Sequence, residues 1–206
     1  MIEVEKKFKL NDRWIEKIQH EGIFIGREKL YDIYYDTDKW CYTLQNMWLR
    51  KRGDFFELKV GVQKKRGLIS HYYEITDAAN ILQAMKLSLS SPLPAALEKH
   101  KITPFCSFKT DRRKYRLGEF TIVIDTASLD DIIYSVGEIE LLVAHESKIP
   151  EADAKIIAIL DKEAIDWRTS VPGKLPFFLF HKHPMHYLAL VNAQIVEDDM
   201  KRFYFN

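Results

Sequence analysis

Two cysteines, Cys41 and Cys106, are all the thiols in 206 residues. They are too few for a disulfide framework and cannot hold zinc by themselves. Both are expected to be reduced, partly buried thiols of a cytoplasmic protein. Glycine (8) and proline (7) are scarce, which excludes collagen-like or linker-like chain. There is no glycine-rich phosphate loop, P-loop lysine or G-x-S-x-G motif, so any phosphate must be held by side chains. No apolar run approaches the roughly 18 residues of a membrane helix; the longest are 156–160 and 177–180. The opening MIEVEKKFKL carries Glu3 and Glu5 and does not read as a signal peptide. An excess of one charge is missing too. Lys plus Arg number 31 against 30 Asp plus Glu, a net +1, which argues against holding nucleic acid by bulk charge. No repeat, linker or long heptad is present. The expectation is one domain over 1–206, monomeric, with neither a nucleic-acid nor a membrane partner.

What is present is a chain able to build a core. Hydrophobic residues make up 47% and charged residues 30%, and a chain of this size buries about 70% of its unfolded surface. Period-two alternation predicts strands over 2–10, 27–36, 47–52, 55–60, 71–75, 104–117, 120–125 and 135–145. Gly53-Asp54 and Gly118-Glu119 are the predicted turns. Asn11 or Asp12, Asp77, Pro92 and Pro150 open predicted helices, and 174–196 reads as helical with a break at Pro184. Seven or eight hairpin-connected strands with four to six short helices predict an α+β protein built on an antiparallel sheet or barrel.

The polar faces of these strands carry the chemistry. Residues two apart share a face, which groups Glu3, Glu5 and Lys7; Trp48, Arg50 and Arg52; Glu57 and Lys59; Tyr72 and Glu74; Thr110, Arg112 and Lys114; and Glu138 and Glu140, with Asp125 beside an apolar series. Any one set has the ordinary reading of a solvated face. Together they segregate by sign, and the opposite faces (Ile2/Val4/Phe8, Phe56/Leu58/Val60, Ile139/Leu141/Val143) are apolar and could lie beneath the helices. The charged faces would then line the inside of a barrel.

Such an interior is costly when empty. Two carboxylates two residues apart on a strand lie about 6.6 Å apart and repel by about 2.5 kcal/mol at an effective dielectric of 20. Glu3/Glu5 and Glu138/Glu140 both make this arrangement. Oxygen ligands without His or Cys point to Mg2+, or Mn2+. Lys7, Arg50, Arg52, Lys59 and Arg112 then require an anion, and arginine forks suit phosphate. Acids for a metal and bases for phosphate in one cavity make a phosphoryl-transfer site.

These residues resemble a known family. Glu3-Val4-Glu5-Lys6-Lys7 is similar to the E-x-E-x-K signature of the CYTH superfamily, the triphosphate tunnel metalloenzymes. Tyr34-Tyr35-Asp36-Thr37, Trp48–Arg52, Glu57-Leu58-Lys59, Arg112, Ile124-Asp125-Thr126 and Val136–Glu140 follow in the family's order, over about 2–180. Within it, IEVEKKF, YYDT, WLRKR, VGEIE and the late PGKL most resemble the animal thiamine-triphosphatase branch. The resemblance implies an eight-stranded antiparallel β-barrel flanked by helices, whose tunnel binds a triphosphate. It implies a divalent metal on Glu3, Glu5, Asp125, Glu138 and Glu140, and phosphate contacts from Lys7, Arg50, Arg52, Lys59, Arg112 and Lys174. Glu3, Glu5, Lys59, Glu138 and Glu140 would be the catalytic set, with Glu74 supporting. The implied reaction releases phosphate from thiamine triphosphate to leave thiamine diphosphate, with Lys59 or Tyr35 as candidate proton donor to the leaving oxygen. Trp48 would sit at the tunnel mouth, stacked on the thiazolium. The alternatives are an inorganic tripolyphosphatase or nucleoside triphosphatase using the same tunnel, a nucleotide cyclase, and a non-catalytic polyphosphate-binding module.

Outside the resemblance, Lys64-Lys65-Arg66 reads as a solvated hairpin tip. Arg113, Lys114 and Arg116 read as outer or rim residues, and the aromatics of 200–206 as packed on the barrel or a partner. His71, His145, His181, His183 and His186 have no acids or cysteines in register and read as helix-surface residues.

Overall fold

A computed structural model describes residues 1–63 and 67–200. The predicted hairpin tip 64–66 and the aromatics of 201–206 lie outside the described residues. The strands are β1 (Ile2–Phe8), β2 (Ile23–Asp36), β3 (Met47–Arg52), β4 (Phe55–Gly61), β5 (Ser70–Ile75), β6 (Thr103–Leu117), β7 (Phe120–Leu129) and β8 (Ile132–Val143). The helices are α1 (Asp12–Glu21), α2 (Ala78–Ala84), α3 (Leu93–Lys99), α4 (Ile149–Lys162), α5 (Lys174–Lys182) and α6 (Pro184–Asn192). All strand pairs are antiparallel, and the sheet closes in the order β1-β5-β4-β3-β2-β6-β7-β8. This is the α+β barrel expected from the alternation. Among the described residues no helix is long and apolar enough to cross a membrane.

Local chemistry accounts for the element ends. Asn11 Oδ1 accepts from Trp14 N at 2.8 Å and Asp77 Oδ1 from Asn80 N at 2.9 Å, capping α1 and α2. Gly53 (φ +58) and Gly118 (φ +61) supply the left-handed residue of the β3–β4 and β6–β7 turns. β2 begins four residues before the predicted strand because it pairs with β6 from Ile23↔Arg116 to Asp36↔Thr103. β7 runs on to Leu129 and β8, which ends at Val143, starts at Ile132 because the two pair as far as Leu129↔Ile132.

Apolar side chains form three clusters, two on the outside of the sheet and one on its inner face, where α5 and α6 pack. Ile2, Val4, Phe8, Ile122, Ile124 and Ile139 meet Trp14 and Ile18 of α1 and Ile156 and Leu160 of α4. Phe108, Ala127, Tyr134 and Val136 meet α5 and α6 through Phe177, Phe178, Tyr187 and Leu190. Leu49 and Leu58 meet Ile81 and Leu82 of α2 and Leu93 and Leu97 of α3. Where α1 to α4 cover the outer face, the alternating polar residues of those strands are left to the interior, whereas the outer face of β2 and β6 stays solvated, as at the Arg27–Asp111 pair.

Four side chains depart from the sequence reading. Cys41 is exposed on the loop after β2, while Cys106 is buried. His186 is buried, because its ring stacks on Trp40 (4.7 Å, 6°) and shares a 2.8 Å hydrogen bond with Thr43 Oγ1. His71 lies on β5 and pairs with Asp153 of α4 at 2.8 Å. Tyr35 packs outward against Phe56, since it follows Tyr34 and a strand alternates faces.

Gly137 shows how tightly the outer layer is fitted. A Cβ there would fall inside the Phe8 ring and 2.9 Å from Leu10 Cδ2. Phe8 in turn meets Trp14 edge-on at 4.6 Å. Gly137→Ala is therefore expected to destabilise the fold by about 1–3 kcal/mol through overpacking. A thermal melt equal to that of the unmodified protein would contradict this fit.

Candidate active site

The barrel encloses a cavity of about 700 Å³, within the range of small-molecule sites. Glu3, Glu5, Lys7, Trp48, Arg50, Arg52, Lys59, Glu74, Arg112, Glu138, Glu140 and Lys174 all line it. Asp125 is fully buried just behind Arg112 and Lys174. Thirteen positions spread from 3 to 174 thus converge on one space. Lys114 reaches the rim, where it pairs with Glu28 at 3.3 Å.

The charges form three groups. In the first, Glu3 and Glu5 of β1 and Glu140 of β8 each offer an oxygen, all within 4.8 Å of one another. Cross-strand register produces this, because Glu5 stands opposite Glu140. Lys59 bonds Glu3 and lies 3.1 Å from Glu74 and 3.8 Å from Glu5. Burial raises Glu3 to about 7 and Glu140 to about 8, and the neighbouring carboxylates push the same way. Burial also acts on Glu5, but Lys7 and Lys59 outweigh it and hold that carboxyl below its usual value.

In the second group, Arg112 donates to Asp125 through Nε (2.8 Å) and Nη2 (2.6 Å), and lies 3.3 Å from Glu138. Lys174, 8% exposed at the start of α5, bonds Asp125 and donates to Glu138 at 3.1 Å. Despite burial, Lys174, Lys7 and Arg112 hold Glu138 well below the usual carboxylate range. The loop ahead of α5 is fastened by Tyr134, whose hydroxyl donates to Pro172 O at 2.6 Å and whose ring stacks on Phe177 (4.0 Å). The first residue of α5 is thus directed into the barrel.

The third group is an arginine pair. Arg50 bonds Glu57, and Arg52 bonds Asp32 of β2. Glu57 and Tyr34 fall in the motifs read from the sequence but were given no site role, and Asp32 was not singled out, although Asp32 and Tyr34 share the inward face of β2 and stand opposite Arg52 and Arg50. Two-residue spacing within 32–36 was the available signal. Trp48 contributes a wall of the cavity near Ile195 and Val196, with Nε1 donating to Asn46 Oδ1 at 2.8 Å.

Five carboxylates are expected at a metal. The structure groups Glu3, Glu5 and Glu140 within reach of one ion, and pairs Asp125 and Glu138 with Arg112 and Lys174. The triad has only oxygen donors, is largely desolvated, and has two members pushed toward neutrality. It fits a small hard divalent cation.

The pH consequence follows from sign. Folded Glu3 and Glu140 bind protons more tightly than in the unfolded chain, so stability falls as pH rises toward and through about 7 and 8. Buried His186, lowered to about 4 by desolvation, acts oppositely, but only below the ordinary histidine value. In chelator, the melting temperature is therefore expected to drop between about pH 6.5 and 8.5, at up to about 1.4 kcal/mol per pH unit per group. Glu140→Gln is expected to match the unmodified protein only at about pH 4.5 and below, where that carboxyl is largely neutral in both states, and to melt increasingly higher up to about pH 8. Parallel melting profiles for the two proteins would exclude this origin.

Comparison with known proteins agrees with this architecture. A family model described as the CYTH domain matches residues 1–172. The thiamine-triphosphatase of Homo sapiens is 29% identical over 211 residues, covering 94% of this chain and 90% of the relative. That of Macaca fascicularis is 28% identical over 209 residues, with the same coverage. Among solved structures, a Pyrococcus horikoshii protein superposes with a TM-score of 0.55 at 21% identity, over 80% of this chain and 91% of that one. A Hippeastrum protein, described as a candidate adenylyl cyclase with a dominant triphosphatase activity, gives 0.55 at 14% identity, over 87% and 94%. Because the family model spans most of the barrel whose inward-facing charges were just traced, the chain belongs to the CYTH domain family.

Proposed function

We propose that this protein hydrolyses thiamine triphosphate to thiamine diphosphate and phosphate, in the barrel and with a divalent metal, Mg2+ by the chemistry of its donors. The observation that carries the reading is one cavity lined by an all-oxygen carboxylate triad together with the cations Lys7, Lys59, Arg50, Arg52, Arg112 and Lys174. The thiamine-triphosphatase relatives support the substrate. Mg2+ on Glu3, Glu5 and Glu140 would supply charge neutralisation of the polyphosphate and a polarised water.

The protein's own groups do the rest. Lys7, Lys59, Arg50, Arg52, Arg112 and Lys174 bind the phosphate oxygens and align the chain of phosphates. Water adds to the terminal phosphorus as the bond to the bridging oxygen breaks, and the diphosphate leaves with the electron pair. Arginine and lysine donors stabilise the charge that moves onto that oxygen. Lys59, kept protonated by Glu3, Glu5 and Glu74 despite burial, is the group that holds a proton beside the reacting phosphate. Tyr35 does not, since it faces the outer layer. When a polyphosphate takes over Lys174 and Arg112, Asp125 and Glu138 lose their partners and become further oxygen donors. The ring of Trp48 on the cavity wall would stack on the thiazolium, gaining roughly 0.5–2 kcal/mol.

Purified protein with Mg2+ should be assayed on thiamine triphosphate, tripolyphosphate and ATP, following phosphate, pyrophosphate and cyclic product. Phosphate release fastest from thiamine triphosphate is expected; pyrophosphate with a cyclic product would make it a cyclase. Glu5→Gln should abolish turnover, and unimpaired rates would remove the triad from the reaction. Trp48→Ala should lower thiamine triphosphate turnover while sparing tripolyphosphate. Equal losses on both would defeat the stacking role.

A further inference from the structure

Asp32 is 1% exposed, yet it has no part in the reaction above. It stands opposite Arg52 in the β2–β3 ladder. Its two oxygens take both bonds of one guanidinium edge, from Arg52 Nε at 2.6 Å and Nη2 at 2.8 Å. The same carboxylate lies 3.8 Å from Arg50 Nη1. Burial would raise Asp32, but Arg52 and Arg50 outweigh it and keep the carboxyl below its usual value. Such a two-pronged bond fixes the plane of the guanidinium and leaves its remaining edge, Nη1, for another acceptor. Arg52 lines the cavity and its side chain is 24% exposed, so that edge is open to a ligand.

We propose that Asp32 is a positioning residue that clamps Arg52, and steadies Arg50 beside it, in the pose that meets the phosphates. This rests on the triphosphate reading of the cavity. Asp32 touches no reacting atom and acts only through the arginines. The proposal opposes what charge alone dictates. Asp32→Asn removes a negative charge next to a polyanion site, which by field strength would tighten binding. Loss of the clamp frees the long arginine to sample other poses, which weakens it.

The test is steady-state kinetics with Mg2+-tripolyphosphate on Asp32→Asn, Arg52→Lys and the double variant, with melting curves for each. Asp32→Asn should raise KM roughly tenfold to a hundredfold, with a smaller change in kcat, and the double variant should be no worse than Arg52→Lys alone. An unchanged or lowered KM in folded Asp32→Asn, or additive losses in the double variant, would overturn the proposal. If Asp32→Asn does not fold, Arg52→Lys decides. Lysine keeps the charge but cannot take the two-pronged bond, so its KM must rise, and an unchanged KM in the folded variant overturns the clamp. Wild-type protein that neither binds nor hydrolyses any triphosphate defeats the tunnel reading and this proposal together. An active wild type with an unaffected Asp32→Asn defeats the clamp alone.

Discussion

Charges of both signs are confined inside a closed sheet, and everything else in the molecule answers to that confinement. Ionised groups removed from water are stable only beside opposite charge or a bound ion. The barrel meets this for Asp125, Glu138, Asp32 and Glu57, each set against arginine or lysine. It leaves Glu3, Glu5 and Glu140 clustered, with Lys59 as partner to two of them, and two of the three carboxyls shift toward neutrality. The unresolved repulsion is the feature that calls for a cation.

The usual arrangement of a globular domain is reversed to make this possible. Two apolar clusters face outward from the sheet beneath α1 with α4 and α2 with α3, a third packs α5 and α6 against the inner face, and the charged alternation occupies the rest of the interior. The helices therefore supply the stability that a charged interior cannot. The apolar clusters also orient the charged groups. Tyr134 and Phe177 hold the loop that delivers Lys174, and the Phe8 ring packs directly over Gly137, next to Glu138. Positioning of the phosphate-facing cations thus depends on apolar packing on both faces of the sheet.

Much of this was legible along the chain. The E-x-E-x-K opening, the Trp48–Arg52 run and the Glu138/Glu140 pair mark inward faces by two-residue spacing alone, and apart from Tyr35, which faces outward, the residues predicted for the site lie on or directly behind the cavity wall. Other features were not legible. Tyr34 and Tyr35 are adjacent and alike, and only register with Arg50 shows which one enters the barrel. His186 follows a run of basic and aromatic residues that resembles a solvated helix, yet Trp40 and Thr43 cover it from a loop more than a hundred residues away in sequence. Asp32 lies two residues before Tyr34, but that spacing alone does not separate it from a surface acid; its pairing with Arg52 does.

The sequence by itself determined which faces of the strands are charged, because side-chain direction follows from backbone periodicity and needs no knowledge of the fold. It also determined the kinds of ligand those faces can hold, since donor chemistry belongs to the side chain. Only the tertiary structure decided which charges meet. Glu5 reaches Glu140, Lys59 reaches Glu3, and Lys174 reaches Asp125 because strand register and the docking of α5 set distances that separation along the chain does not encode. The same carboxylate can be a metal ligand, an arginine clamp or a structural ion-pair partner, and closure of the barrel assigned each its neighbours.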